Sequence, residues 1–250
     1  SAANTDRDSY YGPGNDPLKA YGKTTDLTAM GGAQYVHTFD KCFFMPSDLT
    51  AGLEYNRDRL KDNMWGYDRH TDQTVNIYSA FLQNEWKNDR WGILIGGRLD
   101  KHNMVDNVIF SPRANLRFNP TQNINLRLSY SSGFRAPQAF DEDMHIENVG
   151  GTVAMIERAK NLKEEKSQSF SASADMYHRF GVFQTNFLIE GFYTRLTDVF
   201  VLGEPYDRGD GILVKTRSNG PGAKVMGLTL EGKVAYLSIL QIQAGLTLQR

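Results

Sequence analysis

The chain has 250 residues, of which 40% are hydrophobic, 23% charged and 12% aromatic, a balance typical of ordinary globular domains. Its formal net charge of -1 argues against binding to nucleic-acid phosphates, which usually needs a strongly basic surface. The longest apolar run lies around Trp91 to Gly97 and is far shorter than the ~18 to 20 residues of a membrane-spanning helix. Cys42 is the only cysteine, which excludes an internal disulfide and a multi-cysteine metal site.

The first residues, Ser1 to Asp16, are polar and lack the apolar core of a secretory signal, so we expect a mature or excised segment. Beyond them, apolar and polar residues alternate in successive segments, which is typical of β-strands with one apolar face. This pattern predicts an all-β, antiparallel fold of roughly 10 to 12 strands. The clearest apolar series are Leu49, Ala51, Leu53 and Tyr55; Ala114, Leu116 and Phe118; Phe170, Ala172, Ala174 and Met176; Leu228, Leu230, Val234 and Tyr236; and Leu240, Ile242, Ala244, Leu246 and Leu248.

The predicted connections between strands are of two lengths. Short turns are expected at residues 119–122, 178–181 and 237–238, and long connections at 57–73, 136–164 and 203–221. Short turns on one side and long loops on the other are typical of outer-membrane barrels, in which aromatic side chains also gather at both interfaces. Aromatic residues near predicted strand ends fit such girdles: Trp86, Trp91, Phe118, Tyr130, Tyr177, Tyr193 and Tyr236.

A polar row opposes the apolar residues on two neighbouring predicted strands. Its members are Arg113, Asn115, Arg117, Asn125 and Arg127. In a wide barrel this row faces the lumen, whereas in a soluble β-sandwich it is the solvated outer face. The barrel and the sandwich differ in where they place the leucines of the apolar face: a sandwich packs them inward, and a barrel turns them outward. These leucines are Leu126, Leu128, Leu246 and Leu248.

The long connection after Pro137 is rich in carboxylates. Its polar residues suggest a loop that contacts a ligand, and the candidates are Gln138, Asp141, Glu142, Asp143, His145 and Glu147. Oxygen ligands suit calcium, and a histidine among carboxylates suits a transition metal, but the spacing matches no known ligand frame. We therefore predict no metal site and no cofactor.

Motifs of catalysis are absent from the chain. We find no Gly-x-Ser-x-Gly, no His-Glu-x-x-His, no phosphate-binding glycine loop and no dinucleotide fingerprint. The glycines at residues 12–14 and 203–211 suit turns. We therefore predict a protein that is not an enzyme and has no catalytic residues, although an enzyme with a histidine beside a serine or carboxylate on a barrel wall is the third reading.

Three stretches carry a family resemblance. Residues 133–138, Gly-Phe-Arg-Ala-Pro-Gln, resemble a motif found late in the barrel of TonB-dependent outer-membrane receptors. Residues 161–167, Asn-Leu-Lys-Glu-Glu-Lys-Ser, are similar to the family's return into the next strand, with Glu164 where proline is usual. Residues 219–232 resemble its Asn-x-Gly-x-Ala signature, with Thr229 in place of the first acidic residue. Their order and spacing carry the resemblance over residues 75 to 250.

The resemblance implies a fold and a length. The family's barrel has 22 strands, so residues 1–250 are expected to form a partial outer-membrane barrel without the plug domain or the terminal strands. Residues 136–164 are then a long extracellular loop. The polar row, together with Arg135 of the first motif, is expected to line the lumen or contact the plug. The segment from Gln138 to Asp143 particularly resembles receptors from Bacteroidetes.

The resemblance also implies a function. Such receptors take up large, scarce solutes, here of the ferric siderophore, haem or cobalamin class, across the outer membrane of Gram-negative cells. The implied partners are outer-membrane lipid, the receptor's own plug, the TonB complex acting through that plug, a metal-chelate or other small-molecule ligand, and a surface lipoprotein. The alternative that stays open is a soluble β-sandwich with a binding or structural role.

Overall fold

The computed structural model describes residues 1–10, 21–139, 147–149, 152–209, 212–237 and 239–250. The strands in chain order are β1 (Ala2–Tyr10), β2 (Tyr21–Cys42), β3 (Met45–Met64), β4 (Arg69–Lys87), β5 (Trp91–His102), β6 (Ile109–Thr121), β7 (Ile124–Arg135), β8 (Glu147–Val149), β9 (Thr152–Arg158), β10 (Glu165–Phe180), β11 (Phe183–Thr197), β12 (Phe200–Leu202), β13 (Tyr206–Asp207), β14 (Ile212–Asn219), β15 (Ala223–Tyr236) and β16 (Leu240–Gln249).

One sheet of 11 strands forms a wall, in the order β1-β2-β3-β4-β5-β6-β7-β10-β11-β15-β16. Every neighbouring pair in this wall is antiparallel. This confirms the all-β prediction and its strand number. Among the described residues the wall does not close, because β1 and β16 lie at its opposite edges.

The register of the wall aligns the alternating residues of each strand into rows. One row runs through Ile93, Leu116, Leu128, Ala172, Gly191, Leu228 and Leu248. Successive side chains point to opposite faces, so this row marks an apolar face and the alternate residues mark a polar face. On β5 the apolar series extends from Trp91 to Leu99, close to the ~9–11 residues of a strand that crosses a bilayer.

The apolar face is exposed. Leu128 is 54% exposed, Leu246 54% and Leu248 59%, while Leu126 is 38% exposed. No second sheet covers these residues in the part of the chain that the structure describes. A soluble sandwich would bury these residues between its sheets, so their exposure is the arrangement that the barrel reading predicts.

Aromatic side chains pair at both borders of the apolar band. Near the short turns, the ring centroids of Trp91 and Phe118 lie 4.2 Å apart and those of Phe183 and Tyr236 5.2 Å apart. At the other border, the rings of Tyr130 and Phe170 lie 4.7 Å apart. The prediction that Tyr177 belongs to an aromatic girdle is wrong, because Tyr177 lies on the polar face. Its cross-strand partner is Asn186, and its hydroxyl donates a hydrogen bond to Asp175. Strand-end position alone does not tell which face a residue occupies.

The connections at the two ends of the strands differ as predicted. Short turns join β2–β3, β4–β5, β6–β7, β10–β11 and β15–β16 at one end of the strands, which we call the turn end. The connections β3–β4, β5–β6, β7–β10 and β11–β15 lie at the other end of the strands, which we call the loop end. The long connection predicted at 57–73 is wrong, since β3 and β4 pair from Ser47 with Trp86 to Met64 with Arg69. Only a single 3₁₀ turn, Trp65–Tyr67, separates them.

A smaller sheet forms within the two longest connections at the loop end. Its order is β12-β14-β9-β8, with β13 also paired to β14. Strands β9 and β14 pair in parallel, from Ile212 with Val153 to Arg217 with Arg158. The antiparallel prediction therefore holds for the wall and fails for this pair, because β9 and β14 come from separate connections instead of a hairpin. No helix in the described part of the chain is both long and apolar enough to cross a bilayer.

Gly227 on β15 makes a close contact that tests the register. A methyl group at Gly227 would lie 2.5 Å from the ζ carbon of Phe192 and 2.7 Å from the carbonyl oxygen of Leu248. The carbonyl belongs to the sheet ladder and cannot yield, so we expect Gly227→Ala to lower the free energy of unfolding by about 1–3 kcal/mol. Gly232→Ala on the same strand is the control, since no atom lies within 4 Å of its added methyl. Equal denaturant midpoints for the two variants would contradict the register.

Candidate ligand-binding site

The smaller sheet, which we call the cap, is fastened to the wall at distant points. Arg158 of the cap donates a hydrogen bond to Gln73 of β4 at 2.8 Å. The backbone N–H of Phe200 donates to Glu165 of β10 at 2.9 Å, and the Arg135 guanidinium lies 5.6 Å from the centroid of the Phe200 ring. In the wall, β4 and β10 are separated by β5, β6 and β7. The cap therefore bridges several strands at the loop end.

Gln73 is the anchor of the cap on β4. Its side chain is buried, with 7% of the residue exposed. Its Oε1 accepts hydrogen bonds from the backbone N–H of Ala139 at 2.7 Å and from Nη1 of Arg158 at 2.8 Å. The same Arg158 nitrogen donates to the Pro137 carbonyl at 3.0 Å. These bonds fix the start of the long β7–β10 connection and the end of β9 to one side chain.

Asp62 forms a second buried hydrogen-bonding centre nearby. Only 2% of the residue is exposed. One carboxylate oxygen accepts a hydrogen bond from the Thr24 hydroxyl at 2.7 Å, and the other accepts one from Nη2 of Arg69 at 2.8 Å. A buried carboxylate needs such partners, because burial removes its solvating water. Asp62 thereby holds Arg69 at the beginning of β4, beside the cap.

A cleft with a cavity volume of about 380 Å³ lies between β4 and the cap. Its charged and polar lining is Asp68, Arg69, His70, Thr71, Glu157, Arg158 and Arg208. Arg217 of β14 is the cross-strand partner of Arg158 and is buried. Guanidinium groups bind carboxylate, catecholate or phosphate oxygens with paired N–H donors. The cleft is therefore suited to an anionic ligand.

The predicted loop residues are only partly located. Gln138 follows the anchored Pro137 and accepts a hydrogen bond of 3.4 Å from Nε2 of His102. The backbone of Glu147 pairs with Ala154 within the cap. Asp141, Glu142, Asp143 and His145 lie outside the described residues. Among the residues that are described, no three His, Cys, Asp or Glu side chains are grouped to hold a metal ion.

The predicted lumen residues share one face of the wall. The register places Arg113, Asn115, Arg117, Asn125, Arg127 and Arg135 on the polar face. Arg113 donates to the Gln83 side chain, and Arg117 donates to the Asn88 carbonyl at 3.2 Å. Asn125 donates to Asn119 at 2.8 Å. A lumen or plug contact for these residues stays a prediction.

Sequence reasoning missed Asp62, Arg69, Gln73, Arg158 and Arg217. The first three lie within the predicted connection 57–73, whose charged residues hid the continuing alternation of β3 and β4. That alternation could have been detected, since Leu60, Asp62 and Met64 share one face. The meeting of Arg158 with Arg217 depends on the parallel β9–β14 pair, for which a single sequence carries no signal.

We expect the hydrogen bond between His102 and the Met104 amide, at the end of β5, to depend on pH. His102 is fully buried three positions beyond Leu99, and burial lowers the pKa of its imidazole despite opposing contributions from Gln138 and Asp100. Its Nδ1 accepts a hydrogen bond from the Met104 N–H at 3.0 Å, which requires the neutral ring.

A lowered pKa means that the folded state binds this proton less readily than the unfolded state. The contribution of the neutral His102 side chain to the stability of the fold is therefore complete above the usual histidine pKa of about 6.5. It is lost as pH falls through the pKa that His102 has in the folded protein. We expect faster hydrogen exchange at the Met104 amide at acidic pH, after correction for intrinsic rates, because the protonated ring no longer accepts its hydrogen bond. His102→Asn should abolish this pH dependence, and an unchanged dependence in the variant would refute the assignment.

Comparison with known proteins gives one family and a set of similar structures. The model of the family "TonB dependent receptor-like, beta-barrel" matches residues 1–250. No curated protein sequence matches the chain significantly. Solved structures match over nearly the whole chain, but the chain spans well under half the length of the proteins it resembles.

Three of these structures illustrate the match. The siderophore receptor PirA from Pseudomonas aeruginosa is 17% identical with a TM-score of 0.74, over 92% of this chain and 43% of that chain. A mutant of the ferric enterobactin receptor from Pseudomonas aeruginosa is 18% identical with a TM-score of 0.71, over 100% and 40%. The FrpB iron transporter from Neisseria meningitidis is 14% identical with a TM-score of 0.68, over 100% and 39%. At these identities the likeness supports the fold alone.

Proposed function

This chain belongs to the family of TonB-dependent receptor-like β-barrels, and we propose that it forms wall and outer connections of an outer-membrane receptor that imports a ferric siderophore. Haem and cobalamin are the related substrates within the same class of large, scarce solutes. In this proposal the apolar face meets outer-membrane lipid and the loop end faces the outside of a Gram-negative cell.

The observation that carries the proposal is the cleft between β4 and the cap. Arginines line it at the loop end, where a solute from outside would arrive. Ferric siderophores present negatively charged oxygen ligands around the metal, and guanidinium groups complement such oxygens. The names of the similar proteins, two siderophore receptors and an iron transporter, support the same class. Cobalamin offers fewer anionic oxygens, which ranks it below the ferric chelates.

The polar face is proposed to line the path below the cleft. Its row of arginine and amide side chains, from Arg113 to Arg135, is suited to contact a plug or a hydrated polar solute. Residues 136–164 serve as an extracellular loop, and the acidic residues of that loop, together with Gln138, contribute to the ligand surface. Force from the TonB complex reaches the receptor through the plug, so the contribution of residues 1–250 is selectivity and passage. A surface lipoprotein is a further partner to be tested.

Equilibrium binding to the complete receptor in detergent tests the proposal. The panel contains ferric enterobactin, ferrichrome, haem and cyanocobalamin. We expect saturable binding of a ferric siderophore, and we expect Arg158→Ala to weaken it by about 10- to 100-fold, the value of one or two charge-assisted hydrogen bonds. Arg179→Ala, an exposed residue of β10 at the turn end, should bind like the wild type.

Deletion of residues 139–160 should weaken binding while the barrel stays folded. A folded receptor that binds no member of the panel would refute the substrate class and redirect the search to glycans or peptides. Equal losses from Arg158→Ala and Arg179→Ala would refute the cleft as the site.

A further inference from the structure

Two aspartates with adjoining carboxyl groups lie on β2 and β3, beyond the apolar band at the loop end. Asp26 is the cross-strand partner of Leu60, and Asp58 lies two positions before Leu60 on the same strand. The two side chains are therefore diagonal neighbours on the polar face. Their carboxyl groups lie within hydrogen-bonding reach of each other, and we call Asp26 and Asp58 the carboxyl pair.

The surroundings of the carboxyl pair are partly apolar. Leu60 is 6% exposed, and Val75, the cross-strand partner of Asp58 on β4, is 2% exposed. Asp26 and Asp58 are themselves partly buried. Burial disfavours the charged form of a carboxyl group, because it removes the water that solvates the charge. Burial is accordingly the largest cause of the raised pKa of Asp58, and the charge of Asp26 and the hydrogen bond to Asp26 raise that pKa further.

One oxygen of the carboxyl pair has no donor among the described residues. Oδ1 of Asp26 is buried and accepts no hydrogen bond from any donor in the described ranges of the chain. An ionised carboxylate only accepts hydrogen bonds, whereas a protonated carboxyl group also donates one through its O–H. A single proton held between Asp26 and Asp58 therefore supplies a donor that two ionised carboxylates lack.

The other charged groups nearby act on different partners. Charged or titratable side chains on the same face of the neighbouring strands and at the cap anchor are Arg7, Glu54, Asp62, Arg69, Arg98, His102 and Arg158. Glu54 pairs with Arg98 at 3.0 Å, and Asp62 pairs with Arg69 at 2.8 Å. Arg158 donates its hydrogen bond to Gln73. Asp26 is the charged neighbour that acts on the pKa of Asp58.

The carboxyl pair lies in the rows of the sheet that carry the cap anchor. The row of Asp26 continues through Leu60 to Gln73 on β4, and the row of Asp58 continues to Val75. Like charges on adjacent strands weaken the pairing of those strands. Repulsion within the carboxyl pair therefore acts between β2 and β3 in the rows that support Gln73.

We propose that Asp26 and Asp58 share one proton and form a pH-sensitive switch in the outer part of the sheet. With the proton bound, a hydrogen bond between the two carboxyl groups joins β2 to β3. Without it, two like charges face each other and loosen the sheet beside the cap anchor. The proton belongs to the pair and not to one residue, because the two groups titrate together.

The sign of the pH dependence follows from the raised pKa of Asp58. The folded state binds the shared proton more readily than the unfolded state does, so the pair stabilises the fold fully below the usual aspartate pKa of about 3.9. This stabilisation is lost as pH rises through the pKa that Asp58 has in the folded protein, which is the opposite of the dependence expected for His102. That the pair meets the pH outside the cell rests on the proposed function, whereas the shared proton rests on the geometry of the pair.

The test is infrared spectroscopy of the complete receptor in lipid vesicles, titrated from acidic to neutral pH with a chelator present, so that no divalent cation neutralises the pair. A protonated carboxyl group has a carbonyl stretching band that a carboxylate lacks. We expect the wild type to keep this band, with the intensity of one carboxyl group, after exposed aspartates have ionised, and Asp58→Asn to abolish it. Asp26→Asn should move the loss of the band to lower pH, because it removes the neighbouring charge and its amide donates to the Asp58 carboxylate.

Asp72→Asn is the matched control. Asp72 is 60% exposed and lies 3.6 Å from Lys61 on the opposite face, so its replacement should leave the band unchanged. Equal bands in the wild type and Asp58→Asn would overturn the proposal, and so would an equal loss of the band in Asp72→Asn. An unchanged titration in Asp26→Asn would refute the sharing of the proton.

Hydrogen exchange gives a second measurement. After correction for intrinsic rates, the amides of residues 25–28 and 58–61 should exchange about 2- to 5-fold faster at neutral than at acidic pH, the effect of like charges on paired strands. Asp58→Asn should remove this dependence, and slower exchange at neutral pH in the wild type would contradict the switch. Neither measurement contains a siderophore, so a failed uptake function and a failed carboxyl pair give distinguishable results.

Discussion

Asp62→Ala should lower the free energy of unfolding of the receptor by about 3–5 kcal/mol, the cost of removing one partner of a buried ion pair. The side chain of Asp62 is 2% exposed, and that of Arg69, held at 2.8 Å, is 11% exposed. Loss of the carboxylate removes the acceptor of the hydrogen bonds from Nη2 of Arg69 and from the Thr24 hydroxyl. Equilibrium denaturation of the complete receptor in lipid vesicles measures the change.

Asp72→Ala is the matched control on the next strand. Asp72 lies 3.6 Å from Lys61, but the two side chains are 60% and 47% exposed. Water screens such a pair, so its loss should cost about 0–1 kcal/mol. If Asp62→Ala and Asp72→Ala lower the free energy of unfolding equally, the buried network does not hold the start of β4. The proposed structure of the cleft would then be wrong.

Leu128→Arg should lower the stability of the membrane-inserted receptor by about 2–4 kcal/mol, the cost of a cation on the lipid face of a barrel near the bilayer midplane. Leu128 lies on the apolar face, with Leu116 and Ala172 as its cross-strand neighbours, and is 54% exposed. In water the same substitution at an exposed position would cost little. The measurement is reversible unfolding in lipid vesicles.

Ser171→Arg is the control for the opposite face. Ser171 is the cross-strand partner of Ser129 on the neighbouring strand and lies on the polar face. An added cation there should change the stability by less than about 1 kcal/mol, because the polar face of a barrel meets water. A larger cost for Ser171→Arg than for Leu128→Arg would reverse the assignment of the two faces.

The strands of the wall could be predicted from the sequence because the alternation that defines each strand involves residues that are close in sequence. Every second residue of a strand meets the same environment, so the alternation around Leu126 and Leu128 already predicts the faces that the register later shows. The short turns were equally predictable, because each lies between two alternating segments. The motif at residues 133–138 then identified the family, which the match over residues 1–250 confirms.

The candidate site was far less predictable, because its geometry depends on contacts between distant segments. Gln73 and Arg158 are 85 residues apart in sequence, and nothing in either segment indicates the other. The cap also needs a parallel pair between two connections, which alternation cannot predict. The acidic residues Asp141 to His145 and the likeness to Bacteroidetes receptors stay predictions.

The arrangement links stability to function at the loop end. Arg158, which fastens the cap to Gln73, also lines the cleft proposed to bind the ligand. Loops that bind ligands are often fixed by a rigid scaffold, and here the scaffold is the extension of β3 and β4 beyond the apolar band. Variants of these anchors should therefore alter ligand affinity before they alter the wall.

The placement of the sheet in the membrane is the claim on which the rest depends, and spin-label accessibility on β7 tests it most directly. Cys42 is replaced by serine, and a nitroxide is attached in turn at Leu126, Arg127, Leu128 and Ser129 of the complete receptor, otherwise free of cysteine, in lipid bilayers. We predict that labels at 126 and 128 collide mainly with oxygen dissolved in lipid, and labels at 127 and 129 mainly with a water-soluble nickel chelate. Equal accessibility of all four labels to the nickel chelate, or a reversed alternation, would contradict the account.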